Sequence, residues 1–199
     1  MDQLSLTEKT KYDFIWEHLP NYRECSLGEE LVCHFFHHFQ KELKEGQQIA
    51  DLGCGTGRVA RQFLEKGLAV HLIDLSHKCL DPDIASLCPL LPERIQFTSS
   101  CLWEMAIAKS DWIYCCDVLE HLPPTKIDLS LKQITSSMKI GGFVSICLKP
   151  DLFGEAIGTS LHLTVKDADW WREQLSRYCT IEKEFPLFPE TYLICALRV

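Results

Sequence analysis

The sequence predicts an α/β protein built on one doubly wound, mostly parallel sheet. Three observations carry this. A strand, a glycine turn and a helix-like segment follow one another over residues 48–66. A continuously apolar run from Trp112 to Cys116 has the character of a strand buried on both faces. The final stretch reads as two strands with no helix between them. The 199 residues are read as one domain, with 1–45 forming helices that cover a core of 46–199.

The first forty-odd residues look helical. Thr7 to Leu19 is a helix candidate, and Ser26-Leu-Gly-Glu29 is a capping-box pattern. Leu31, Val32, Phe35, Phe36, Phe39 and Leu43 then recur at helical spacing, with Gly46 as the stop. Gln48 to Leu52 is the first strand, and Arg58 to Lys66 a helix closed by Gly67. Ala69 to Ile73 is the second strand, ending at Asp74. His77 to Leu87 is a poor helix, interrupted at Asp81-Pro82. Arg94 to Thr98 is the third strand, and Trp112 to Cys116 the fourth and central one. Pro124 to Lys139 is helical, a Gly141-Gly142 turn follows, and Gly142 to Leu148 is the fifth strand. Asp167 to Tyr178 is a helix. Cys179 to Phe185 and Tyr192 to Val199 are terminal strands joined through Pro186 and Pro189.

Composition narrows the function. Apolar residues make up 46% of the chain, ample for a core, and no apolar run approaches the roughly 20 residues that span a bilayer. A net charge of -8 with scattered Lys and Arg argues against gripping a phosphate backbone. The 11 cysteines include no C-x-x-C. Cys33, Cys115, Cys147 and Cys195 lie in apolar runs, where cysteine acts as a small hydrophobe. An odd count and a polar N-terminus suggest reduced thiols and a cytoplasmic location. His34 and His38 stand one helical turn apart near His37, but without a third ligand they are read as flanking an apolar face.

The chemistry concentrates in Asp51-Leu52-Gly53-Cys54-Gly55-Thr56-Gly57. Glycines allow backbone N–H groups to approach a ligand closely and permit positive φ. In the dinucleotide fingerprint G-x-G-x-x-G the third glycine would fall on Arg58, whereas here it falls on Gly57. An acid two residues before the first glycine opposes a pyrophosphate and suits a ligand with an ammonium group. No Gly-Lys-Ser/Thr follows, which excludes a P-loop. This D-x-G-x-G-x-G unit resembles motif I of the S-adenosylmethionine (SAM)-dependent methyltransferases. Asp117-Val118-Leu119-Glu120-His121 resembles a segment after the fourth strand of their small-molecule members.

The chain thus resembles the class I, Rossmann-like methyltransferases over about residues 48–150. The resemblance implies a seven-stranded sheet with an antiparallel C-terminal strand and N-terminal lid helices carrying Tyr12, Tyr22 and Arg23. It implies SAM as cofactor and S-adenosylhomocysteine (SAH) as product, with a small-molecule acceptor methylated at O or N. Cofactor contacts would come from Asp51, Gly53, Gly55 and Gly57, then Asp74 and Leu75, then Ser100, Cys101, Leu102 and Trp103, then Cys116, Asp117 and Val118. The usual adenine-binding acid after the third strand is missing, with Ser100 or Cys101 in its place. His121 and then His162 are the candidate bases. Trp170 and Trp171 cannot both face the core, so one of them is a candidate for the substrate pocket.

Metal-assisted relatives join an acid-x-x-Glu-His unit to a distant His, and the matching residues here are Asp117, Glu120, His121 and His162. The Glu-His pair also occurs in members without a metal, where the Glu braces a helix, and that reading is preferred. The alternatives are a non-catalytic SAM- or SAH-binding protein and a metal-assisted RNA 2′-O-methyltransferase. The sequence does not specify the acceptor or the oligomeric state.

Overall fold

The computed structural model describes residues 2–24, 27–104 and 107–199. Seven strands form one sheet: β1 Gln48–Leu52, β2 Ala69–Asp74, β3 Ile95–Ser99, β4 Ser110–Cys116, β5 Met138–Cys147, β6 Thr180–Glu184 and β7 Tyr192–Arg198. Their order is β3-β2-β1-β4-β5-β7-β6. β7 runs antiparallel to both β5 and β6, and the other pairs are parallel. The apolar fourth strand is therefore the middle one. The order reverses between β1 and β4, which is where such sheets open a crevice beyond their carboxyl ends.

Among the described residues, seven α-helices surround the sheet: α1 Gln3–His18, α2 Pro20–Glu24, α3 Leu27–Phe39, α4 Val59–Glu65, α5 Pro82–Leu90, α6 Ile127–Ser137 and α7 Ala168–Ser176. Helices α3, α4 and α5 cover one face, and α6 and α7 the other. On the first face Phe35 is fully buried, its ring edge-on to those of Phe36, Phe39, Phe63, Trp112, Tyr114 and Phe143 at 5.2 to 6.3 Å. Edge-to-face packing adds to the burial of each ring. Tyr114 also donates its hydroxyl to the Gly28 carbonyl at 2.6 Å, which ties the start of α3 to the central strand.

Several sequence expectations change. α1 begins before Thr7, because Asp2 caps it by accepting the Ser5 N–H. α2 was not expected. Asp81-Pro82 opens α5 rather than interrupting a helix: Pro82 occupies the first turn, where a missing N–H costs nothing. The α6 helix stops at Ser137, and Gly141-Gly142 lie inside β5 rather than in a turn. A Cβ on Gly141 would stand 2.8 Å from the Leu197 carbonyl oxygen, and one on Gly142 2.9 Å from Met138 Sδ. These glycines serve close packing within the sheet. α3 ends at Phe39, ahead of Gly46. Cys33 is exposed, unlike the buried Cys115, Cys147 and Cys195. The capping-box residue Ser26 lies outside the described residues.

Replacing Phe35 with Ala removes the ring around which one face is organised. Urea unfolding should show a loss of about 3–5 kcal/mol. Leu152→Ala, at a position 80% exposed, should change stability by less than about 0.5 kcal/mol.

Candidate active site

A cavity of about 850 Å³ opens at the carboxyl ends of β1, β2, β3 and β4. α1 lies across the loops that follow β2, β3 and β4. Ser76 donates to Asp13 at 2.5 Å, Ser5 contacts Cys101 Sγ, and Tyr12 meets His121. Arg23 of α2 adds a staple, donating to the Cys79 carbonyl at 2.9 Å and to Asp81 at 3.3 Å. Backbone direction dictates the floor. Gly53, Gly55 and Gly57 all have positive φ, which lets the chain turn sharply out of β1.

Two acids flank that turn. Asp74 at the end of β2 accepts the N–H groups of Gly55 at 3.0 Å and Ser76 at 2.9 Å. Burial nonetheless pushes its carboxyl up to about 6. Asp51 is 4% exposed, and burial followed by the nearby Asp74 raises it to about 7. Among the described residues no hydrogen-bond or ion-pair partner meets the Asp51 carboxylate. Two desolvated acids beside backbone donors suit a ligand that brings a cationic group and hydroxyl donors. Trp16 and Trp103 also line the cavity, and their buried indole N–H groups lack a partner among the described residues.

The site after β4 is more constrained. Asp117 adopts φ 61, a left-handed conformation that Asp tolerates better than most residues. Glu120 is fully buried. Its Oε1 accepts the Cys147 N–H at 2.7 Å and its backbone carbonyl accepts the Thr164 N–H at 2.9 Å. Burial and the adjacent Asp117 hold Glu120 well above the ordinary carboxylate range. Glu120 thus braces β5 and the loop before α7.

His121 Nδ1 shares a 2.6 Å hydrogen bond with the Tyr12 hydroxyl. Burial, then His162, pushes His121 down to about 4, so it is neutral at pH 7. The two imidazole rings meet edge-to-face at 4.6 Å. His162 Nδ1 lies 2.6 Å from the Lys149 carbonyl, an acceptor only, so Nδ1 donates and any lone pair of the ring lies on Nε2. The loop carrying His162 is held by Asp151, which accepts N–H groups of Gly154, Leu161 and His162. Against the cost of burial, these bonds hold Asp151 down to about 2.

The cavity brings together Asp51, Gly53, Gly55, Asp74, Leu75, Ser100, Cys101, Leu102, Trp103, Cys116, Asp117, Val118, His121 and His162. Gly57 does not line it. A Cβ there would stand 2.9 Å from Leu80 and Ile84, so its role is to let α5 pack on the turn. Neither Trp170 nor Trp171 reaches the cavity. Trp171 is fully buried, and Trp170 packs against it under Lys166. His38 pairs with Glu182 at 2.9 Å and His34 rests on Phe185, as an apolar-face reading requires. Sequence reasoning missed Trp16, Asp151, Phe153 and Tyr192. The aromatics carry no motif, and Asp151 acts only through a loop whose shape was not foreseen.

This architecture is that of the class I, seven-stranded SAM-dependent methyltransferases. Residues 50–144 carry a match to the family described as a methyltransferase domain. The ubiquinone biosynthesis O-methyltransferase of Idiomarina loihiensis is 30% identical over 102 residues, a match covering 49% of this chain and 40% of that protein. Less than half of that relative's length is therefore spanned. Two solved structures share the fold. Magnesium protoporphyrin IX methyltransferase from Synechocystis, with bound SAH, has a TM-score of 0.71 at 17% identity, covering 96% of this chain and 100% of that one. The Burkholderia thailandensis 1,6-didemethyltoxoflavin-N1-methyltransferase, bound to its acceptor and SAH, has a TM-score of 0.75 at 18% identity, covering 98% and 88%. Among the described residues no helix is long and apolar enough to cross a membrane.

The raised carboxyl of Asp51 generates a pH prediction. Between the unfolded value of about 3.9 and the folded value, the folded state holds a proton that the unfolded state releases. Stability from this group therefore falls as pH rises towards 7 and levels off above it. In the ligand-free protein, Asp51→Asn should gain stability over wild type, and the gain should grow from pH 5 to 7.5. Thermal unfolding across that range checks it, and a constant difference would contradict the burial of this charge.

Proposed function

We propose that this chain transfers a methyl group from SAM to a small-molecule acceptor at oxygen or nitrogen. The observation that carries the reading is the pair of buried acids, Asp51 and Asp74, on either side of a positive-φ glycine turn. When bound, SAM supplies an activated methyl group on a cationic sulfur. Asp74 accepts hydrogen bonds from the two ribose hydroxyls, and Asp51 offers negative charge to the ligand's ammonium group. Ser100, Cys101, Leu102 and Trp103 wall the adenine, with Trp103 supplying area in place of the missing acid. Cys116, Asp117 and Val118 border the reacting centre.

Within a single domain, α1 and α2 of the segment 1–45 act as a helical lid on the core of 46–199, while α3 packs into that core. Tyr12 and Trp16 bring aromatic surface that excludes water, and a positioned acceptor needs little further help. His121, or in its place His162, takes the one proton that the acceptor loses. His162 has the better defined lone pair, because Lys149 fixes its tautomer. Both solved neighbours act on small molecules by name, and the net charge of -8 disfavours RNA. Free thiols at each of the ten described cysteines agree with a cytoplasmic location.

A second reading, metal-assisted O-methylation, draws on two groupings. Asp117, Glu120 and His121 offer ligand atoms within 4.8 Å of one another, as do Glu120, Cys147 and His162. The buried Glu120 Oε2 has no hydrogen-bond partner among the described residues. Oxygen and imidazole donors suit Mg²⁺ or Mn²⁺, which would acidify a hydroxyl.

Thermal-shift titration tests both readings. SAH should raise the unfolding midpoint in a concentration-dependent way and NAD should not. Gly55→Val should weaken SAH binding at least 100-fold, because a β-branched residue at φ +52 would press its Cβ within 3.2 Å of Trp16. His121→Ala should leave SAH affinity within twofold and lower turnover at least tenfold. Loss of both would make His121 structural. A further shift with Mg²⁺ or Mn²⁺, abolished by EDTA, would select the metal-assisted reading.

A further inference from the structure

Cys54, Asp74 and Cys79 meet where the turn after β1 touches the end of β2 and the turn before α5. One ligand atom from each lies within 4.8 Å of the other two. Both cysteines are buried, with Cys79 fully enclosed. The two sulfurs and an Asp74 carboxylate oxygen sit side by side, and Cys54 Sγ also donates to the Gly55 carbonyl at 3.8 Å. Two thiols thus adjoin one carboxylate, and methyl transfer requires neither sulfur.

We infer that Cys54, Cys79 and Asp74 form a binding site for a thiophilic divalent cation of the Zn²⁺ class, and that this cation excludes the cofactor. Tetrahedral zinc with two sulfurs and one oxygen sets ligand-to-ligand edges of roughly 3.6–3.8 Å. The three side chains therefore need to draw in by no more than about 1 Å. Binding releases two protons to solvent as both thiols become thiolates, and the cation cancels two of the three negative charges. Cys54 and Asp74 line the cavity, so the fourth position faces it and is filled by water. Three protein ligands with one open position are a common zinc arrangement.

Burial raises both thiols above the ordinary cysteine range, which makes them poor nucleophiles towards oxidants. Metal binding escapes that limit, since coordination itself removes the proton. Competition follows from Asp74. Its two oxygens already take the Gly55 and Ser76 N–H groups, and a cation drawn to the same carboxylate would pull it away from a ribose. The exclusion of cofactor rests on the SAM reading, whereas the cation site does not.

The test uses the full chain, stripped of metal and kept reduced. Cd²⁺ added alone should give a sulfur-to-metal charge-transfer band in the ultraviolet at one equivalent. Zn²⁺ should abolish that band and weaken SAH binding at least tenfold by calorimetry. Cys79→Ser should lose the band, bind SAH within twofold of wild type, and show no effect of Zn²⁺. Cys54→Ser, carrying the other half of the pair, should also lose the band. A band retained in either variant, or absent from wild type, would overturn the site. A band with unchanged SAH affinity would overturn the exclusion. If metal-free wild type does not bind SAH, the cofactor reading fails while the band still decides the cation site.

Discussion

The contact between Gly53 and Val118 is the constraint on which the site depends. The turns leaving β1 and β4 come from adjacent parallel strands, and they press together at this point. A Cβ on Gly53 would collide with the Val118 side chain. Neighbouring parallel strands fix the spacing of the two turns, so the clearance has to come from a missing side chain. Closing that gap sets the glycine turn, with Asp51 and Asp74, against the segment that carries Asp117 and His121. The cavity is the space that remains on the open side of this junction.

The electrostatics of the crevice follow from that placement. Strand ends at the switch point are buried by the helices on both faces and by α1 above, so acids there lose water without gaining a cation from the protein. Asp51, Asp74 and Glu120 all rise, and His121 falls, for the same underlying reason. The charged forms of these acids are held in unfavourable states by the fold, and either a proton or complementary charge from a ligand relieves them. Asp151 shows the opposite arrangement. Three backbone N–H groups meet its carboxylate, and it serves as a fixed anchor for the His162 loop.

Much of the sheet was legible in the sequence because strand periodicity and glycine punctuation are local signals. β1 was read at both ends, and the central place of β4 followed from its unbroken apolar run. The errors arose where a local signal had two meanings. Pro82 breaks a helix in its interior but starts one at its first turn. Gly141 and Gly142 mark a turn by composition, yet here they relieve crowding between β5, β4 and β7. At the site, residues on the glycine turn and after β4 could be named because they sit in motifs. Trp16, Asp151 and Tyr192 could not be assigned roles, because each acts across a distance in sequence that only the folded chain closes.

The position of β7 has a consequence for how the molecule assembles. This strand, over Tyr192–Arg198, lies between β5 and β6 rather than at the margin of the sheet. β5 and β6 never touch as a pair, so β6 has no neighbour until residues further along the chain arrive. β6 and β7 pair across the short connection 185–191, but the β5–β7 pairing closes the long loop 148–191, which slows its formation. During synthesis the side of the sheet from β3 to β5 can form while β5 still presents an unsatisfied edge. That edge is the surface an unrelated strand would capture, and the nascent chain must keep it covered until β7 slides in.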